Sequence, residues 1–477
     1  MTLRPLALAT ALAALLPLQA GATDLMDTWE LARLGDPQLS IAESSRLATR
    51  EGAVQARAAM LPQLSGSARL SRSESEGPAS TTQFDPVTGE PVTYTGNTDR
   101  ETTTRSYGVD LSQMVYDRAR FTNLRSEQAL SRASDFDLEA ASQNLITRTS
   151  AAYFNVLVQL ETLAAAEAAE TALQRQFDFA SRRLEVGLAP ITDVHEARAQ
   201  YDEARANTIL VRNAVADAYQ ALAEITGTEV RNLQGLPEDF QPRLPVTGDI
   251  DEWVATAVGN NPSLQAAELA LQSAEANVDT ARAAHWPSLY LSGGYSDSAT
   301  WGNQTFSADG LPADVNNPIN SESRGPSVSL NLEVPIFQGG AIRSRVRQAV
   351  ARRDIAGDQV VQERRQLERN TRNAYQTLVA GVAEVEARRL ALVSAQAAYD
   401  ASQVGLEVGT RTVLDVLNNQ RNLFQAQQAY AQARYNHLQQ RLLLEQAAGT
   451  LDVEDLQEIN RLLTADAEAR IEGTLPR

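Results

Sequence analysis

The sequence is written twice. "ARAAMLPQLSGS" (56–67) returns as "ARAAHWPSLYLS" (281–292), 225 positions later, and "RLEVGLAPITDV" (183–194) returns as "GLEVGTRTVLDV" (405–416), 222 positions later. The second offset persists, since Gly227 answers Gly449, and "LSQMVYD" (111–117) answers "LEVPIFQ" (332–338). Repetition at this distance makes each half a large structural unit, unlike the short units of solenoids. The halves run about 24–235 and 248–460, joined by the Pro- and Gly-bearing segment "LPEDFQPRLPVTGD" (236–249).

Within each half the hydrophobic period changes. Residues 28–61 are rich in Ala, Leu and Glu at helical spacing and read as one helix, which Pro62 ends. From Leu64 the period becomes two: Leu64, Gly66, Ala68 and Leu70 alternate with Ser65, Ser67, Arg69 and Ser71. Alternation resumes at Tyr107, Val109 and Leu111 after a polar stretch (76–100). The second half repeats this with Leu289 and Leu291, a polar stretch (296–324), and then Val328, Leu330, Leu332 and Val334. Such patterns mark strands of about 10 residues or somewhat more with one apolar and one polar face, long enough for tilted membrane strands.

Each hairpin feeds a proline-free run, 118–186 and 341–408, which as helix reaches on the order of 100 Å. Gly187 and Gly409 sit where a helix C-cap wants a left-handed residue, and return helices follow near 190–226 and 412–448. The helix before each hairpin, 28–61 or 251–285, is on the order of 50 Å long and the return helix on the order of 55 Å. Stacked end to end, those two match one long helix. A globular core requires no rods of this length; a tube does.

Composition narrows the setting. Arg4, an apolar run from Leu6 to Leu18 and Ala20-Gly21-Ala22 form the pattern of a secretory signal peptide cut after Ala22. No later stretch approaches 18 consecutive apolar residues, so the mature chain is either free outside the cytoplasm or embedded as a closed barrel. The absence of cysteine excludes disulfides, thiolate metal sites and an N-terminal lipid-bearing cysteine. The net charge of -18, with arginine as the sole basic residue type besides histidine, makes nucleic acid a poor partner. His195, His285 and His437 stand far apart without metal-ligand spacing, and neither a phosphate loop nor a nucleophile elbow occurs, so no catalytic residue, cofactor or metal is implied.

The residues that carry a resemblance are "VGTRTVLDVLNNQRNLFQAQQAYAQARYNHL" (408–438), "VGLAPITDVHEARAQYDEARAN" (186–207), "PIFQGG" (335–340) at the strand-to-helix exit, and "AAGTLDVEDLQEIN" (447–460). They are similar to the motifs of the TolC family of outer-membrane efflux proteins, and the resemblance spans essentially the whole mature chain. It implies a helix-dominated fold with a transmembrane β-barrel: a homotrimer in which each protomer gives four strands to a 12-stranded barrel and four helical columns to a 12-helix α-barrel. Four strands cannot close alone, because outer-membrane barrels start at eight, but a dimer would also reach that number. The number three therefore rests on the resemblance.

The division this implies is a signal peptide (1–22), a periplasmic helix (23–61), an outer-membrane hairpin (62–117), a long helical hairpin (118–227) and a connector (228–250). The second repeat follows with a helix (251–286), a hairpin (287–338) and a long helical hairpin (339–449), then an equatorial segment and tail (450–477). The implied function is an outer-membrane exit duct that conducts small molecules or polypeptides passively. Its implied partners are outer-membrane lipid, a periplasmic adaptor and an inner-membrane pump or ABC exporter.

In the family the two helical turns close the periplasmic end. By motif, Arg411 matches the arginine that bonds across to the neighbouring turn, Thr192 and Asp193 match its partners, and Asp415 matches a constricting acidic ring. A second acidic ring position is Asn418 here, and an aromatic hydroxyl that supports the lock is replaced by Leu406. Both departures imply weaker cation block and a more easily opened gate. A plainer role competes: Thr192, Asp193 and Asp415 lie near helix starts, where such side chains cap free backbone amides. The rival for the whole chain is a soluble periplasmic coiled-coil adaptor or scaffold, which long antiparallel helices would also suit.

Overall fold

The computed structural model describes residues 23–84, 88–188, 190–237, 240–242, 249–311 and 313–467. The expected signal peptide, part of the connector and the tail past 467 lie outside them. In chain order the elements are α1 (Leu25–Gly35), α2 (Pro37–Ala58), β1 (Gln63–Phe84), β2 (Pro91–Tyr116), α3 (Arg118–Glu185), α4 (Ile191–Thr226), β3 (Gln234–Gly235), α5 (Ile250–Asn260), α6 (Pro262–Ala283), β4 (Ser288–Ser307), β5 (Val315–Glu333), α7 (Ala341–Glu407), α8 (Val413–Ala448), α9 (Val453–Asn460) and β6 (Ala465–Asp466). The chain divides into two compact units. One comprises Leu47–Ala133 and Glu268–Gln359; the other comprises Met1–Arg46, Ser134–Ala267 and Val360–Arg477. No helix among the described residues is long and apolar enough to cross a membrane.

The first unit is built on an antiparallel sheet of order β1-β2-β4-β5. Its register aligns the apolar sets of all four strands: Leu64 opposes Leu111, Gly66 opposes Val109, Val109 opposes Tyr295, Leu291 opposes Leu330, and Leu289 opposes Leu332. One face of the sheet is therefore largely apolar over about seven residues of β1, β4 and β5 and about five of β2, with Gln113 and Asp297 at its margins. At roughly 3.4 Å per residue that is close to the ~25 Å apolar band of an outer-membrane barrel. The opposite face carries Ser65, Ser67, Ser106, Ser112, Ser292, Ser296 and Ser329 in the same ladders.

The strands are about twice the expected length, because the stretches read as polar loops are themselves strand. Threonine, which favours the pleated surface, continues the ladder there; Thr82 meets Thr93 and Thr104 meets Thr300, each at 3.0 Å between hydroxyls. Pro78, Pro318 and Pro326 fall on the outer strands and Pro91 opens β2, the positions where a missing N–H is tolerated. Beneath the sheet, α3 meets α6 through Ser126 to Ser273 and Thr280 to Thr122, both 2.8 Å.

A second difference concerns the short helices. The spans 28–61 and 251–285 are each two helices, broken at Asp36-Pro37 and Asn261-Pro262. A proline drives the residue before it out of the helical region and is itself well suited to open the next helix. Asp36 and Asn261 are extended, and their side chains cap the new helices, accepting from the Leu39 N–H at 3.0 Å and the Leu264 N–H at 3.2 Å.

These breaks are where the return helices end. Gly35 lies so close to the end of α4 that a Cβ there would sit 2.3 Å from the Thr226 carbonyl oxygen, and a Cβ on Gly449 would sit 2.7 Å from the Asn260 backbone. So α4 ends against the start of α2, and α8 against the start of α6, the end-to-end arrangement the length sum required. The core of this second unit lies where α1, α3, α4, α8 and α9 meet, around Tyr153, Leu157, Leu222, Leu438 and Leu442. Tyr153 donates to the Gln234 carbonyl at 2.8 Å, the Tyr435 hydroxyl donates to Glu161 at 3.0 Å and accepts from the Leu236 N–H at 3.2 Å, and burial pushes both phenols well above their usual range. The buried Arg434 guanidinium pairs with the partly buried Glu161 beside them.

Candidate gate at the helical turns

Both helical turns belong to the second unit. In the turn from α3 to α4, Gly187 takes φ +75°, the Leu188 N–H bonds the Arg183 carbonyl at 2.8 Å, and the Arg183 guanidinium returns to the Leu188 carbonyl at 3.3 Å. Pro190 opens α4 without a side-chain cap. Thr192 is exposed and Asp193 half-buried in the first turn of α4, and among the described residues neither makes a side-chain capping bond, so the plainer role finds no support for this pair. Their shared contact, from the Thr192 hydroxyl to Asp193 Oδ1, is 3.5 Å and therefore weak.

The turn from α7 to α8 is more tightly tied. Gly409 is left-handed at φ +78°, and the N–H groups of Thr410 and Arg411 both bond the Gly405 carbonyl, at 2.8 and 3.1 Å. The aliphatic stem of Arg411 crosses Gly405 so closely that a Cβ there would lie 2.6 Å from Arg411 Cγ. Glycine at 405 thus lets an exposed guanidinium project from the turn. Thr412 and Asp415 then form a reciprocal capping box: Asp415 N–H to Thr412 Oγ1 at 3.2 Å, and Thr412 N–H to Asp415 Oδ2 at 2.9 Å. The capping role therefore holds for Asp415. The bonds from Thr412, with a smaller contribution from Arg411, hold its carboxyl below the usual aspartate range. Asn418 is exposed one turn further on.

Within one chain no hydrogen bond or ion pair among the described residues joins Arg411 to Thr192 or Asp193. The structure instead joins the two hairpins deeper in, where Arg421 donates to Gln200 at 2.8 Å and lies 3.8 Å from Glu203. These three residues line a groove of about 470 Å³ with Leu173, Leu210, Leu417 and Phe424. Motif matching missed them, since their contact depends on how α4 and α8 are phased. It also missed Tyr399, one heptad before Leu406 in a neighbouring groove; its half-buried hydroxyl accepts from Gln403, and burial raises its pKa. The Thr412 cap was readable as T-x-x-D at the start of a helix.

A family model described as outer membrane efflux protein matches residues 29–228 and 253–450, one match for each repeat. The outer membrane protein TolC of Escherichia coli K12 is 32% identical over 459 residues, covering 96% of this chain and 88% of its own. The alkaline protease secretion protein AprF of Pseudomonas aeruginosa is 28% identical over 442 residues, covering 92% and 87%. Among solved structures, the CmeC outer membrane channel of Campylobacter jejuni superposes with a TM-score of 0.71 at 18% identity, covering 93% of this chain and 90% of that one.

Proposed function

Since the chain belongs to the outer membrane efflux protein family and is an outer-membrane duct for efflux or secretion, we propose that three copies close one barrel around a shared pore and that the two helical turns are its periplasmic gate. The observation that supports closure by several copies is the sheet, while the number three rests on the family. The sheet has a largely apolar face for lipid, a serine-lined face for the pore, and two outer strands, β1 and β5, whose free edges need partners. Four strands are half of the smallest closed outer-membrane barrel. The soluble adaptor or scaffold is set aside by the family.

At the gate, Arg411 of each protomer reaches Thr192 and Asp193 of the adjacent one. An arginine fork suits this pairing because it can hold a carboxylate and a hydroxyl together. The exposure of Arg411, which forms no ion pair among the described residues of a single chain, and the lack there of any capping bond from Asp193 support it. Each exposed pair is worth only about 0.2–1 kcal/mol, so the lock can hold by repetition and still yield when a partner docks. Asp415, kept ionised by its cap, supplies a ring of three carboxylates that attracts cations. Asn418 leaves that ring without a second tier. Channels of this family work with a periplasmic adaptor and an inner-membrane pump; here these deliver small molecules, or polypeptides as the name of AprF suggests for that relative. The duct itself performs no chemistry.

The native chain has no cysteine, so an Arg411→Cys/Asp193→Cys pair reports cleanly on the lock. Oxidation should link neighbouring protomers into a ladder ending at a trimer on a denaturing gel. Links confined within one chain, or none, would contradict the proposed gate.

A further inference from the structure

Arginine is distributed unevenly along this acidic chain. Just after each hairpin, where strand becomes long helix, arginines cluster without acidic neighbours. The segment 336–353 holds five, Arg343, Arg345, Arg347, Arg352 and Arg353, with no Asp or Glu between Glu333 and Asp354. The segment 118–126 holds three, with none between Asp117 and Glu127. Both repeats thus place basic residues at the same level of the fold. Arg120 lies 3.8 Å from Asp117 and is partly neutralised. Arg118, Arg343, Arg345 and Arg347 form no ion pair with a carboxylate among the described residues.

This level of the first unit is also where the apolar face ends. The register brings the exit of β2, the entry of β4 and the exit of β5 to one end of the sheet, Ser112 opposing Ser292 and Ser288 opposing Glu333. Exposed apolar groups gather there: Trp286 before β4, Ile336 and Phe337 after β5, and Phe121 in the first turn of α3. The Arg118 guanidinium stacks on the Trp286 ring, 4.6 Å from its centroid. Passing from the sheet toward the helices, one therefore meets an apolar band, an aromatic rim and then a basic collar. Tryptophan concentrates at the boundary of hydrocarbon and head groups. Arginine lays its stem along apolar surface while its charged fork reaches outward.

We infer that this collar binds the phosphate groups of anionic phospholipids in the periplasmic leaflet of the outer membrane, with the Arg118–Trp286 stack and Arg343 and Arg347, one helical turn apart on one face of α7, as its core. The arginine fork pairs with phosphate through two parallel hydrogen bonds, which a lysine cannot match. Continuity with the lipid-facing band supplies the lipid, and the uncompensated positive charge selects the anionic kind. The inference rests on the sheet being in the membrane and is independent of the gate.

Native mass spectrometry of the detergent-purified full chain, titrated with phosphatidylglycerol or phosphatidylcholine, tests it. Phosphatidylglycerol should remain bound under conditions that strip phosphatidylcholine. The double replacement Arg343→Gln, Arg347→Gln should lower its retention by roughly fivefold per arginine, the equivalent of about 1 kcal/mol for each basic residue at an anionic surface, while leaving phosphatidylcholine unchanged. Should the double variant not assemble, raised salt applied to the native chain gives the same information, because the preference should fade with screening. Equal retention of the two lipids, or a preference untouched by salt or by the replacements, would overturn the inference. So would a change in the ion selectivity of the pore with lipid binding unaltered, which would put these arginines in the duct. An oligomer that assembles and conducts but shows no lipid preference would fail this inference alone, leaving the proposed duct standing.

Discussion

Thr412 and Asp415 satisfy each other's backbone, so replacing Thr412 by Val removes an N-cap worth about 1 kcal/mol and one of the two bonds that Thr412 gives the Asp415 carboxyl, that from its hydroxyl, while the backbone N–H bond remains. Because the cap lowers that pKa in the folded state, its stabilising effect is present above the ordinary aspartate value and is lost as pH falls through the folded one. In Thr412→Val, divalent-cation block of the channel should weaken at a higher pH than in the native chain; an unchanged pH profile in planar bilayers would count against Asp415 as the blocking ring. Asn418→Asp should strengthen block at neutral pH by restoring a second carboxylate tier. Away from the gate, burial first and Asp455 second push Glu445 up to about 7, against the pull of Arg441, which also bridges to Glu458. An acid with a raised folded pKa gives stability that is complete below its unfolded value, near 4.5, and is lost as pH rises through about 7. Glu445→Gln should flatten that slope in thermal unfolding scans, by no more than about 3 kcal/mol.

At the scale of elements, the two contacts between helix ends make a symmetric prediction. Gly35→Ala and Gly449→Ala would each drive a methyl into backbone, and each should destabilise by roughly 1–3 kcal/mol. Gly259→Ala, where a Cβ meets nothing within 4 Å, should be neutral or slightly stabilising. Equal melting temperatures for all three would show that the junctions carry no packing. The same elements show what the sequence made legible. The long helices α3 and α7 and the existence of two hairpins were readable, because freedom from proline and two-fold alternation are local signals. The breaks at Pro37 and Pro262 were passed over, although an Asx-Pro pair is itself a boundary signal. Strand length was underestimated for a different reason. Alternation of apolar and polar residues marks only the part of a strand that faces lipid, and where both faces meet water, as at Thr82 and Thr93, the ladder continues with no such pattern. The two turns and the residues proposed for the gate were picked out by motif, and the structure adds only their local geometry; Arg421 with Gln200 and Glu203 was not legible, since nothing in sequence sets the phase of two helices 221 residues apart.

At the scale of the whole molecule, a duplicated chain provides four strands and four helical columns, and both sets are open at their edges. The sheet leaves β1 and β5 as outer strands, Arg411 forms no ion pair and the Asp193 carboxylate meets only the Thr192 hydroxyl among the described residues, and on the proposed reading a pore exists only once copies join. The most direct measurement is single-channel recording of the purified full chain in a planar bilayer, native against Arg411→Ala. The native protein is expected to insert as a trimer with a small, cation-preferring conductance. Loss of three pairs of about 0.2–1 kcal/mol should raise its open-to-closed ratio by between about threefold and about 150-fold in Arg411→Ala. A water-soluble monomer that passes no current, or a pore indifferent to Arg411, would contradict it.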